Sequence, residues 1–99
     1  MHVMIDLCVV PLGVGISVSQ YIAECEKILN EAGLETNLHA YGTNVAGDWD
    51  DVFSAVRRCH ERVHDLGAPR ITTTIKVGTR TDRLQTIKEK IVSVQQKLQ

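Results

Sequence analysis

The stretch His39–Val52, HAYGTNVAGDWDDV, gathers the most chemically versatile side chains of the chain: an imidazole, a hydroxyl, an indole and the carboxylates Asp48, Asp50 and Asp51. A ring to stack on, with hydroxyls and carboxylates to accept and donate hydrogen bonds, is the equipment of a small-molecule pocket. The three acids have a second use, because they crowd the start of a helix where carboxylates meet unpaired amides and the positive end of the dipole. A second constellation is His60 and His64, four apart on one helix with Cys59 beside them, a spacing that can place two imidazoles on one metal. No HExxH pattern accompanies the pair and no third ligand is identified, so an ordinary helical surface explains it, with a small metal-dependent enzyme as the alternative function. No Ser-His-Asp order, phosphate-cradling glycine loop or dinucleotide fingerprint occurs, and the expectation is a protein without catalytic residues and without a cofactor.

The elements that must position these residues follow from periodicity. His2–Val10 is a run of Val, Ile, Leu and Met closed by Pro11 and Gly13, as a buried strand is. With Ile5, Leu7 and Val9 on one side, Met4, Asp6, Cys8 and Val10 take the other, so both faces are mostly apolar and the strand is central. Asp6 is the exception, and an unpaired charge there is costly enough to require a polar partner. Ser17 followed by Gln20 reads as a capping box. Val18, Tyr21, Ile22, Cys25, Ile28, Leu29 and Ala32 then recur at helical steps, and Gly33 ends the helix.

Leu34–Tyr41 alternates as a strand, Gly42 supplies backbone freedom for a reversal, and Thr43–Ala46 is a short strand. A helix follows from about Asp48 to Leu66, with the stripe Val52, Ala55, Val56, Cys59, Val63 and Leu66. Gly67 and Pro69 close it, and Arg70–Val77 alternates Ile71, Thr73, Ile75 and Val77 against Thr72, Thr74 and Lys76. Lys76 and Arg80 there suit salt bridges or an anion site. Strand, helix, strand twice over, joined by a hairpin, predicts an α+β, ferredoxin-like βαββαβ sandwich with a four-stranded antiparallel sheet. A C-terminal helix over about 83–98 carries Leu84, Ile87, Ile91, Val94 and Leu98 in the narrow seam of a helix that packs along another. The sheet face opposite the two helices is left open, and Met4, Cys8 and Val10 on it predict packing on another subunit.

VPLG at Val10–Gly13, H-x-x-GT at His39–Thr43, GDWDDV at Gly47–Val52 and IKVGTRTD at Ile75–Asp82, in this order, resemble the thiamine-binding, YkoF-like family of small ferredoxin-like proteins. The resemblance spans nearly the whole chain. It implies a homotetramer whose sheets pair, and binding of thiamine or its hydroxymethylpyrimidine half. Thiamine has a flat aminopyrimidine with ring acceptors beside an amino donor, and a cationic thiazolium. It asks for an apolar slot, a hydroxyl or carboxylate, and an aromatic or acidic neighbour for the cation. The residues chosen for this are Thr43, Trp49, Asp50 and Thr73, with Asp6 and His39 behind them. Each also has a structural use: Trp49 as a plug, the threonines as strand formers, His39 at a surface.

Whole-chain bounds agree with a binding module. The 99 residues make one domain, 1–99, of a size at which association becomes attractive. Hydrophobic residues at 43% and charged residues at 23% describe an ordinary globular composition. Eleven Lys and Arg against 12 Asp and Glu give a net charge of -1, no general attraction for nucleic acid or anionic membrane, and the last strand lacks a base-stacking aromatic pair. Three cysteines without a CxxC pattern, and the absence of a signal or a long apolar span, place the chain in the cytoplasm by expectation.

Overall fold

Alternation carries strand β1 across His2–Leu12, and a computed structural model describing residues 1–99 shows what it organises. The order is β1, α1 (Ser19–Glu31), β2 (Glu35–His39), β3 (Gly42–Asp48), α2 (Trp49–Asp65), β4 (Arg70–Gly78) and α3 (Ile87–Lys97). The strands form one sheet in the order β2-β3-β1-β4, every neighbouring pair antiparallel. This is the ferredoxin-like βαββαβ arrangement expected from the pattern, with the extra helix at its end.

β1 is central as predicted, and its register fixes the faces. Leu7 lies opposite Thr43 of β3 and Ile75 of β4, and residues paired across strands share a face. Val3, Ile5, Leu7 and Val9, with Val45, are buried against α1 and α2. Tyr21, Cys25 and Leu29 of α1 and Val52, Ala55, Val56, Cys59 and Val63 of α2 complete the core. The helical spacing of both stripes therefore did select the buried face, although Leu66 at the end of α2 is exposed.

Three local expectations give way. β1 does not stop at Val10 but continues through Pro11 and Leu12, which pair with Ile71 and Arg70. Its pairing with β3 ends at Leu7, so beyond that point one edge is free and a residue lacking an N–H is tolerated. The Ser17–Gln20 capping box does not form: α1 starts later, at Ser19, and Val18 at its N-cap makes no side-chain cap. α3 begins at Ile87 rather than 83, where the Thr86 hydroxyl accepts from Glu89 N and the Glu35 carboxylate accepts from Ile87 N at 3.0 Å and Lys88 N at 3.3 Å. A carboxylate from β2 thus caps this helix at a distance in sequence that no local motif encodes.

Gly33 and Gly67 adopt the left-handed conformation that ends α1 and α2. Gly42 does not, and its requirement is one of space: a Cβ there would lie 2.7 Å from the Leu7 carbonyl oxygen. Of the predicted α3 seam only Ile87 is buried; Leu84, Val94 and Leu98 are 60% or more exposed. No helix is long and apolar enough to cross a membrane.

Candidate functional site

Helix α1 crosses the edge of the sheet where β1 and the β2–β3 hairpin meet, and a cavity of about 240 Å³ opens between them. Its walls are apolar, with Leu7 and Val9 from β1 and Ile22, Cys25 and Leu29 from α1. Two polar side chains meet in it from two elements, Glu26 of α1 and Thr43 of β3, while His39 and the exposed Tyr41 border it at the hairpin. Few convergent polar groups in an otherwise apolar cleft is the composition of a small-molecule site.

Thr43 is on the helix-facing side of β3, buried, and its hydroxyl donates to Glu26 Oε1 at 2.9 Å. The second carboxylate oxygen, Glu26 Oε2, is buried with no hydrogen-bond partner. None of the chain's ion pairs includes Glu26. Leaving such an atom unpaired costs on the order of 1–3 kcal/mol, so an acceptor kept here is either a liability or a waiting contact.

His39 borders the cavity but turns its ring to the open sheet face. Its Nδ1 accepts from the Tyr41 backbone N–H at 3.3 Å, which leaves Nε2–H to donate to Asp6 Oδ1 at 2.7 Å. Asp6 Oδ1 also accepts from Asn44, whose own side-chain oxygen accepts from Asn37. The polar partner that Asp6 required is this row, laid across β1, β3 and β2 by the register Asp6↔Asn44↔Asn37. The open face is therefore less apolar than Met4, Cys8 and Val10 suggested.

The remaining candidates lie elsewhere. Trp49 is at the opposite end of β3 from Thr43, roughly 20 Å away at strand rise, and stacks on Phe53 with ring centroids 4.7 Å apart. Asp50 is exposed on the first turn of α2, its backbone N–H donating to the capping Asp48 carboxylate at 3.2 Å. Thr73 faces α2 and sits 2.6 Å from His60 Nε2. The structure thus pairs His39 with Asp6 on the open face, sets Thr43 with Glu26 on the helix-facing side, and brings Trp49, Asp50 and Thr73 to neither. Those three residues carry structural work: a plug, a helix start and a helix-to-strand tie.

The His60 and His64 rings are 6.5 Å apart, and both are engaged, His60 with Thr73 and His64 Nδ1–H donating to the Ala68 carbonyl at 2.8 Å. No group of three His, Cys, Asp or Glu side chains assembles around them or elsewhere. Burial, with repulsion from His64, lowers the His60 pKa. Arg80 is taken up by Asp82 at 2.7 Å and Gln85 at 2.8 Å, which holds the Asp82 carboxyl below the usual range. Contact with Cys25, together with burial, keeps the Cys59 thiol protonated far above its ordinary pKa.

Glu26 is the residue that sequence reasoning missed. A signal existed: Glu26 is four residues after Ile22 and three before Leu29, inside the apolar stripe of α1 rather than opposite it.

The model of the family described as thiamine-binding protein matches residues 5–95. The chain belongs to that family. A UPF0045 protein of Synechocystis is 65% identical over 95 residues, covering 96% of this chain and 78% of the relative. Among solved structures, the hypothetical protein MJ1052 of Methanocaldococcus jannaschii superposes with a TM-score of 0.87 at 28% identity, over 95% of this chain and 96% of the other. A Thermotoga maritima protein, provisionally described as a thiamine biosynthesis/salvage protein, shares the fold with a TM-score of 0.80 at 17% identity, over 95% and 99% of the two chains. Membership of this family makes a small-molecule binding role the coarse functional conclusion.

Proposed function

We propose that the chain is a non-catalytic binding protein for thiamine or its hydroxymethylpyrimidine moiety, and that the ring enters the cavity between α1 and the β2–β3 hairpin. The observation that carries this reading is the unpaired Glu26 oxygen, held beside Thr43 in an apolar slot. Size supports the pyrimidine half as the buried part: about 240 Å³ is below the roughly 300–1,000 Å³ of sites that enclose drug-sized ligands. A one-ring fragment goes in, and the thiazolium remains at the mouth, where the exposed Tyr41 ring offers a face to a cation. Thr43 is the residue of the sequence expectation that lies inside this cavity, and His39, held by Asp6 on the open face, borders its mouth. In this reading 1–99 is one cytoplasmic domain that acts as a homotetramer. Exposed Val94 on α3 with Leu84 and Leu98 flanking the helix, and Val10 and Leu12 beside the open face, supply apolar surface for that association.

Calorimetry and thermal melting test the ligand. A ligand held only by the folded state adds about 2.7 kcal/mol at one hundred times its dissociation constant. For a domain of this length that raises the melting temperature by about 10–20 °C. Absence of both heat and melting shift with millimolar thiamine and hydroxymethylpyrimidine refutes the reading, and a sedimentation mass of one chain at micromolar concentration refutes the assembly.

A further inference from the structure

A carboxylate that is ionised presents lone pairs only, and which of its oxygens is already used decides what it can recognise. In Glu26 the division is sharp. Oε1 is occupied by the Thr43 hydroxyl at 2.9 Å, and Oε2 is buried without a partner. The other polar side chain in the interior of the cavity is committed, Thr43 having donated its one proton, and the His39 ring at the border is engaged at both nitrogens, with Asp6 and with the Tyr41 backbone. The apolar walls hold a flat ring in place and say nothing about its polarity.

We infer that Glu26 is the specificity-determining residue of this cavity, its free oxygen selecting heteroaromatic rings that present an exocyclic amino group and rejecting those with a carbonyl at the same place. The inference rests on the ligand reading above and adds the rule by which the ligand is chosen. An amino N–H completes the carboxylate. A ring carbonyl would set lone pair against lone pair at an oxygen shielded from solvent, and neither group would find a donor there. Thr43 contributes by pinning the carboxylate through Oε1, which leaves Oε2 as the acceptor still unused.

Thiamine and oxythiamine make the test, since they differ in the pyrimidine by an amino group against an oxo group. Titration calorimetry of the wild-type chain is expected to show thiamine bound at least about tenfold more tightly, the minimum for one unmet buried hydrogen bond. In Glu26→Gln the amide oxygen keeps the Thr43 contact and the amide N–H₂ replaces the free acceptor, so the preference should vanish or invert towards oxythiamine. Equal wild-type affinities for the two ligands, or an undiminished preference for thiamine in Glu26→Gln, overturn the role of Glu26 and leave the ligand reading intact. Failure of the wild type to bind either ligand removes both. Should Glu26→Gln not fold, the wild-type ratio decides alone.

Discussion

Replacing Thr43 by Val tests the site through stability, without any ligand. The substitution keeps the branched shape in a buried strand position and removes the hydroxyl that donates to Glu26 Oε1 at 2.9 Å. A hydrogen bond to a charged group contributes about 1.5–3 kcal/mol, and its loss leaves both Glu26 oxygens without partners. Burying a methyl in place of the hydroxyl returns part of this, so a net loss of about 1–2 kcal/mol is expected. At this length that is about 4–16 °C in melting temperature. Glu26→Met alone should be close to neutral, since it removes the orphaned oxygen while unpairing one hydroxyl. The double variant, with both partners apolar, should recover most of the Thr43→Val loss, giving a coupling of about 1 kcal/mol or more. Urea denaturation followed by circular dichroism measures all four proteins. A Thr43→Val variant within about 0.3 kcal/mol of wild type, or a double variant whose cost is the sum of the singles, shows that the contact carries no weight and that Glu26 is not held as described.

Four further substitutions have expected outcomes. Gly42→Ala places a Cβ 2.7 Å from the Leu7 carbonyl oxygen, a backbone atom that cannot rotate away, and should cost about 1–3 kcal/mol in denaturation midpoint. Gly47→Ala meets Leu34 Cδ2 at the same distance and should cost less, because that side chain can move; equal losses would show that the backbone approach at Gly42 is not the constraint. Glu35→Ala removes the acceptor for Ile87 N and Lys88 N and should speed hydrogen exchange of those amides, with a stability loss of about 1 kcal/mol; unchanged exchange means that the Thr86 cap and the buried Ile87 side chain hold the start of α3 without Glu35. The lowered His60 pKa means that the unfolded state takes up a proton that the folded state resists, so stability falls as pH drops below the ordinary value of 6.5 and is unaffected above it. His60→Gln should flatten that part of the stability profile between pH 8 and pH 5, and superimposable profiles of variant and wild type would contradict the assignment.

Much of the architecture was legible because the signals for it are local. The α2 stripe from Val52 to Val63 is buried throughout, since a helical period commits one side of the helix whatever lies opposite. The alternation of β1 likewise marked Ile5, Leu7 and Val9 as core and Asp6 as an anomaly that needed a partner. Errors fell where a boundary depends on a neighbour. Pro11 looks like a strand breaker until β3 is known to end its pairing at Leu7, and α3 starts at Ile87 because Glu35, from another element, accepts its first amides.

The site divides along the same line. Residue type alone marked Thr43, His39 and Asp6 as candidates, and equally marked Trp49, Asp50 and Thr73, which the fold carries away along β3 or turns towards α2. Asp6 and His39 are 33 positions apart and Thr43 and Glu26 are 17 apart. Period and turn chemistry act over a few residues, so the elements and the apolar face of each are readable from the chain alone. Which side chains meet is set by strand register and helix crossing, which bring together rows of residues that no local pattern relates. That is how a glutamate inside the α1 stripe came to share a cavity with a β3 threonine and keep one oxygen free.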